Sequence, residues 1–271
     1  AVTRPEETWK LLARWLGPDD GQLWRQASYR FHALVADEWR KGRVFIAGDA
    51  AHQQPPFLGQ GMCQGIRDVA NLSWKLAAVL RRTVAGDRAE ALLDSYGVER
   101  KQHVRNLTER IKAIGAVICE RDEARARARD TRLLDECGGI VRDVPRQEVI
   151  PPLEQGLLSR RPAPARGTLF PQPWVRQADA AVRLDHFAGD GWWLALAPAY
   201  PGTAPVLPAQ WGVATLHFGR VLAETEGVCA AWFERNACVA ALVRPDRYVY
   251  GVAADARELD ALLDELRTAL Y

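Results

Sequence analysis

Apolar residues at helical spacing mark two long segments in the first half of the chain. From Gln60 to about Arg82, the positions Met62, Ile66, Val69, Leu72 or Trp74, Leu76 and Leu80 predict an amphipathic helix. Gly86-Asp87 breaks it. Leu93, Tyr96, Arg100, Val104, Leu107, Ile111, Ile114 and Ile118 then step by threes and fours along a longer helix with one mostly apolar stripe. Beyond Glu120 the stripe fails, and the Arg-rich residues 121–132, with acids among them, read as a solvated helix face. Upstream, Pro5–Leu16 predicts a short helix with an acidic first turn and Gly17-Pro18 past its end. Leu23–Ala36 contains an extended stretch suited to a strand. Val44–Ala47 is the short apolar run a buried strand needs, and such a strand expects parallel neighbours.

Residues 138–173 hold glycines, seven prolines and little periodicity, and read as a linker wrapping over the surface. After Trp174 the pattern changes. Ala181–Phe187, Trp192–Ala197, Val213–Phe218, Val239–Val243 and Tyr248–Val252 are strand candidates, with helices expected near Ala204–Gln210, Val228–Arg235 and Ala256–Leu270. Arg244-Pro245-Asp246 fits a tight turn joining the last two strands, because Pro pre-sets the backbone angle. This is the pattern of a small α/β domain, similar to a thioredoxin-like domain without its redox cysteines. The expected division is therefore 1–137, a linker 138–173, and 174–271.

Composition narrows the function by exclusion. With 48% hydrophobic and 26% charged residues the chain is of ordinary globular type, and its net charge of +2 makes no case for nucleic acid. No apolar run approaches the length of a membrane span. Five cysteines without a CxxC pair argue against a zinc site and a disulfide framework, and favour a reducing cytoplasm. Ten tryptophans read mainly as core or interface anchors. The chain opens Ala1-Val2-Thr3 without an initiator Met, as a fragment would.

The chemistry concentrates in Gly42–Leu76, GRVFIAGDAAHQQPPFLGQGMCQGIRDVANLSWKL. Asp49 alone would read as a turn acid after a strand. Followed by Pro55-Pro56, by glycines at 59 and 61 and by a helix, it reads as part of a ligand site. An acid there can hold a sugar hydroxyl, while the bare N–H groups of a helix start favour an anion. His52, His32 and His103 carry no nucleophile motif and read as structural. Asp68 and Asn71 read as a polar pair tying the helix to its neighbours, and Tyr96, Glu99 and Arg100 as a packing and ion-pair element. No catalytic acid, base or metal ligand set stands out.

This block resembles the second flavin-binding motif, Gly-Asp followed by Pro-Pro and Gly-x-Gly, of class A FAD-dependent aromatic hydroxylases. The 3-(3-hydroxyphenyl)propionate hydroxylases and other phenol hydroxylases are the members it is most similar to. Residues 29–100 and the stretch LVRPDRYVY (Leu242–Tyr250) carry the likeness, which covers the C-terminal half of such an enzyme. The resemblance implies an α/β fold: the C-terminal part of a hydroxylase-type FAD-binding fold, then a thioredoxin-like domain. It implies that Asp49 bonds the ribityl chain of FAD, that Pro56 lies beside the isoalloxazine ring, and that backbone in Gly59, Gln60, Gly61, Met62 and Cys63 meets the pyrimidine edge. Cys63 departs from the family's Asn, which puts a side-chain role there in doubt. NADH or NADPH would reduce the FAD, and dioxygen would supply the atom added to a phenolic ring. No GxGxxG fingerprint precedes the block, so the chain alone is expected neither to bind FAD tightly nor to turn over. Two rival readings stand beside this one: an assembly module, such as a homodimer contact, carrying a vestigial motif; and a decarboxylating or polyketide-type flavin oxygenase.

Overall fold

The computed structural model describes residues 4–140, 143–144, 146–177 and 180–271. Pro5 opens helix α1 (Pro5–Leu12) with Glu6 and Glu7 in its first turn; the helix stops at Leu12 rather than Leu16. Four two-residue strands follow: β1 (Leu34–Val35), β2 (Arg40–Lys41), β3 (Val44–Phe45) and β4 (His52–Gln53). They pair antiparallel, β1 with β4 and β2 with β3. Two expectations are corrected here. Of Leu23–Ala36 only β1 is strand, because residues 22–33 find no ladder partner. Val44–Ala47 is not a buried strand among parallel neighbours: Gly42 (φ 60) folds β3 straight back on β2, leaving Val44 67% exposed.

Helices α2 (Gly61–Leu80) and α3 (Asp87–Ile118) form an antiparallel pair, and α4 (Glu123–Glu136) buries nothing, as its charge pattern requires. The stripe of α3 is buried at Leu93, Tyr96, Arg100, Val104, Leu107 and Ile111, but it fails before the expected end: Ile114 is half-buried and Ile118 is 61% exposed. Helix α2 is reversed. Its buried residues are Gln64, Asp68, Asn71 and Lys75, at steps of four, three and four, while Met62, Ile66 and Val69 stand 77%, 59% and 57% exposed. Two stripes with the same period run along this helix, and the polar one faces α3 because α3 supplies its partners.

The second half holds α5 (Arg146–Val149), the hairpin β5 (Trp174–Gln177) and β6 (Ala180–Arg183), α6 (Leu184–Ala188), β7 (Trp192–Leu196), β8 (Val213–His217), α7 (Val228–Arg235), β9 (Ala240–Val243), β10 (Val249–Ala253) and α8 (Ala256–Leu270). Its sheet runs β10-β9-β7-β8, with β7 and β8 parallel and the other pairs antiparallel. Strand β7, Trp-Trp-Leu-Ala-Leu, is buried on both faces: Trp193 and Ala195 pack towards α7, Trp192, Leu194 and Leu196 towards α8. The core under α8 also takes in Val84, Ala89 and Leu92, so it reaches the start of α3.

Helices α7 and α8 and the β9–β10 hairpin agree with the sequence reading. Two other segments do not. Ala181–Phe187 ends as helix α6, and Ala204–Gln210 yields only a 3-10 turn at Ala209–Trp211, since Pro205 and Pro208 remove helix donors.

Residues 150–173 do not wrap over the surface; of the segment 138–173, residues 141–142 and 145 lie outside the described residues. Leu153, Ser159 and Phe170 are buried. The Ser159 amide donates to Tyr250 O (2.9 Å), Gly167 to Val249 O (2.8 Å) and Phe170 to Arg247 O (2.9 Å), docking the strap along β10. Gly167 (φ 75) lies so close that a Cβ would stand 1.9 Å from Leu153 O. Gly167→Ala should therefore cost about 3 kcal/mol in urea unfolding, from the left-handed backbone and the clash together. A loss below ~1 kcal/mol would mean the strap is not docked.

Candidate functional site

Asp49 lies in a 3-10 turn, Gly48–Ala50, held from beneath by Asp68. Asp68 Oδ2 accepts the Gly48 amide (3.0 Å) and lies 2.7 Å from His52 Nε2; Oδ1 accepts Arg100 Nε (2.9 Å). Arg100 Nη2 in turn donates to Gln64 Oε1 (2.8 Å). All of these side chains are buried. Burial alone would push the Asp68 carboxyl up, but His52, Arg100 and the Gly48 amide hold it below the usual carboxylate range. The approach is also tight in the backbone, for a Cβ on Gly65 would stand 3.4 Å from Gly48 Cα. Above, Tyr96 donates its hydroxyl to Ile46 O (2.8 Å), and Trp39 stacks on His52 at 5.5 Å. Asp49 itself is exposed, and among the described residues its carboxylate has no partner.

Pro55 is buried and Pro56 exposed, and a short turn, Pro56–Leu58, leads to Gly59 (φ 60). Phe57 anchors this loop against Gly115 of α3, where a Cβ would meet the ring at 2.2 Å, and edge-on to Phe31 at 5.5 Å. Gln60 is buried with its side chain turned inward, accepting Arg67 Nη1 (3.1 Å), so only its backbone belongs to the loop face. Helix α2 begins at Gly61 with no side-chain cap, and Gln64 makes its first backbone bond, to Gln60 O (2.9 Å). Among the described residues the amides of Gly61, Met62 and Cys63 have no acceptor. Met62 is exposed and Cys63 half-buried.

The structure thus brings Asp49 and the Gly59–Cys63 loop to one end of α2. Gly65, on which the Asp49 turn rests, is one turn from Gly61, or about 6 Å along the axis. A free carboxylate beside free amides at a helix's positive end suits a ligand with hydroxyl donors on one side and acceptor or anionic atoms on the other. The ribityl chain and pyrimidine edge of a flavin have that make-up, so the residues present fit FAD.

His52, Asp68, Asn71, Glu99 and Arg100 have the structural roles expected of them. The sequence marks Arg244 and Asp246 only as turn residues and gives Lys75 no role, yet all three belong to a buried ionic cluster. Glu99 Oε2 accepts Asn71 Nδ2 (2.7 Å), Lys75 Nζ (2.8 Å) and Arg244 Nη2 (2.7 Å), and Oε1 accepts the Leu157 amide (2.8 Å). Burial works to raise the Glu99 carboxyl, yet Arg244 and Lys75 bring it down to about 2. The same burial lowers Lys75 to about 8 despite Glu99. His103, buried 3.4 Å from the Tyr248 hydroxyl, is pushed down to about 2 by burial and by Arg100 and Arg67. The sequence signals for this network were the polar spacing on α2 and the ion-pair element at Glu99 and Arg100.

Two outcomes follow from these groups. Asp68→Ala leaves Arg100 buried without its carboxylate and should cost about 3–5 kcal/mol in chemical unfolding. Acid should destabilise the chain in two windows. The unfolded state takes up a proton at His103 below pH 6.5 and at Glu99 below 4.5, while both folded groups resist down to about 2. Stability is thus in place above pH 6.5 and falls towards pH 2. His103→Leu should flatten the thermal midpoint between pH 6.5 and 4.5; an unchanged slope there would remove His103 as its cause.

A family model described as "FAD binding domain" matches residues 10–111, and one described as "HcaD C-terminal domain" matches 167–269. The chain is 37% identical, over 99% of its length, to a probable NADH-specific resorcinol 4-hydroxylase of Rhodococcus jostii (strain RHA1), covering 51% of that protein. It is 33% identical, over 94% of its length, to a 3-(3-hydroxy-phenyl)propionate/3-hydroxycinnamic acid hydroxylase of Mycobacterium sp. (strain JLS), covering 48% of it. Among solved structures it is similar to aklavinone-11 hydroxylase in a complex with FAD and aklavinone, with a TM-score of 0.70, 25% identity and coverage of 98% of this chain and 51% of that one. The chain spans about half the length of the relatives it matches.

Proposed function

We propose that the chain belongs to the FAD-dependent aromatic hydroxylases and forms the ribityl and isoalloxazine side of their cofactor pocket. The complete protein then hydroxylates a phenolic substrate of the 3-hydroxyphenylpropionate type, with FAD, NADH or NADPH, and dioxygen. When bound, FAD supplies the redox chemistry. This chain's residues bind and orient. Asp49 accepts hydrogen bonds from ribityl hydroxyls, Pro56 closes beside the ring, and the Gly59–Cys63 backbone donates to the pyrimidine edge, where the dipole of α2 favours negative charge. Asp68 keeps the Asp49 turn in register with the helix start.

The observation that carries this reading is the exposed Asp49 carboxylate, without a partner among the described residues, on a turn clamped one helical turn from three amides that have no acceptor among them. A cytoplasmic location and the division 1–137, 138–173 and 174–271 belong to the same proposal. A second reading, assembly, is favoured by one observation: the exposed apolar face of α2, Met62, Ile66 and Val69, with Leu34 and Val44 also exposed. A homodimer contact is the form it would take.

Asp49→Ala in the full-length protein should weaken FAD binding about tenfold or more, as the loss of charge-assisted hydrogen bonds does. It should leave the unfolding midpoint unchanged, because among the described residues Asp49 has no side-chain partner. Flavin fluorescence and urea titration read the two effects. FAD affinity unaltered by the substitution would refute the assignment.

A further inference from the structure

We propose that the turn joining β9 to β10, opened by Arg244, positions helix α2 and through it the Asp49 turn. That the positioned turn serves a cofactor rests on the reading above; the positioning itself does not.

Arg244 is fully buried and every arm of its guanidinium is engaged. Nη1 donates to Leu157 O (2.9 Å) and Glu99 Oε1 (3.1 Å), Nη2 to Glu99 Oε2 and Asp246 Oδ2 (both 2.7 Å), and Nε to Asp246 Oδ1 (3.0 Å). Helix α2 enters the same cluster through three residues. Asn71 Nδ2 donates to both Glu99 Oε2 (2.7 Å) and Asp246 Oδ2 (2.8 Å), bridging α3 and the turn. Lys75 Nζ donates to Glu99 Oε2 and Ser95 Oγ (both 2.8 Å). Trp74 lies under the Arg244 guanidinium at 5.6 Å and edge-on to Trp192 of β7 at 5.7 Å.

Lys75 and Arg244 balance Glu99 and Asp246, so the cluster buries no net charge. A buried ionic cluster is a poor source of stability compared with apolar packing of the same volume, but its directional bonds fit one register only. Apolar side chains tolerate sliding; a bidentate guanidinium does not. Asn71 is three residues from Asp68, which holds Gly48 and His52. A shift of α2 by one residue, about 1.5 Å along its axis, would break the bonds at both ends together. The second domain thereby sets where the first presents Asp49.

The test uses the complete chain and amide hydrogen exchange followed by NMR. Asn71→Leu removes the α2 bridge while Glu99 and Asp246 keep Arg244, so the fold survives. Leu266→Ala, in the core under α8 and outside the cluster, is the control for destabilisation without repositioning. At denaturant concentrations that equalise global stability, Asn71→Leu should speed exchange of the Gly48 amide about tenfold over the control, the effect of losing about one hydrogen bond. Equal exchange in the two variants would overturn the proposal. FAD affinity of the full-length Asn71→Leu protein separates the two inferences. Faster Gly48 exchange with unaltered affinity would leave positioning in place and count against the cofactor reading.

Discussion

A carboxylate buried beyond the reach of water persists only if donors surround it, and Asp68 is placed where three parts of the chain must each send one. Gly48 brings its amide, His52 its ring and Arg100 its guanidinium, so the turn bearing Asp49, helix α2 and helix α3 meet at a single atom pair. Glycines at 48 and 65 let the backbones come close enough for this. The exposed Asp49 carboxylate and the open amides of α2 hold their relation because the buried acid three residues before Asn71 is saturated.

The same arrangement explains why α2 is built in reverse. A helix that turns Gln64, Asp68, Asn71 and Lys75 inward has given its most buried face to hydrogen bonds. Met62, Ile66, Val69 and Leu80 stand exposed on its outer side, while Leu72, Trp74, Ala78 and Val79 pack at the edges of the apolar cores. The polar face does not hold α2 by apolar burial. It holds α2 by geometry, and that geometry runs on into the second domain through Glu99 and Arg244.

Local signals were legible in the sequence where local physics decides the structure. Helix α8 has Asp255 as its cap, accepting the Glu258 amide, and the apolar period fixed its span; the β9–β10 turn followed from Pro245. The Gly-Asp, Pro-Pro and Gly-x-Gly motif marked the candidate site. What stayed hidden depends on distant partners. Periodicity could not say which of two stripes on α2 faces inward, because the deciding acceptor, Glu99, and donor, Arg244, stand 145 positions apart. The strand expected within Leu23–Ala36 needed a ladder partner that residues 22–33 do not find, and the strap at 150–173 looked like a linker because its bonds go to β10.

The central claim is that Asp49, fixed by Asp68, is the cofactor-facing acid of this chain. It is tested most directly by the distance between the Asp49 carboxylate and the nearest ribityl hydroxyl in a crystal structure of the full-length protein with FAD. The account predicts a hydrogen bond of about 2.7 Å, with Asp68 still bonded to Gly48 and His52. A flavin bound with Asp49 facing solvent and no ribityl contact would contradict it.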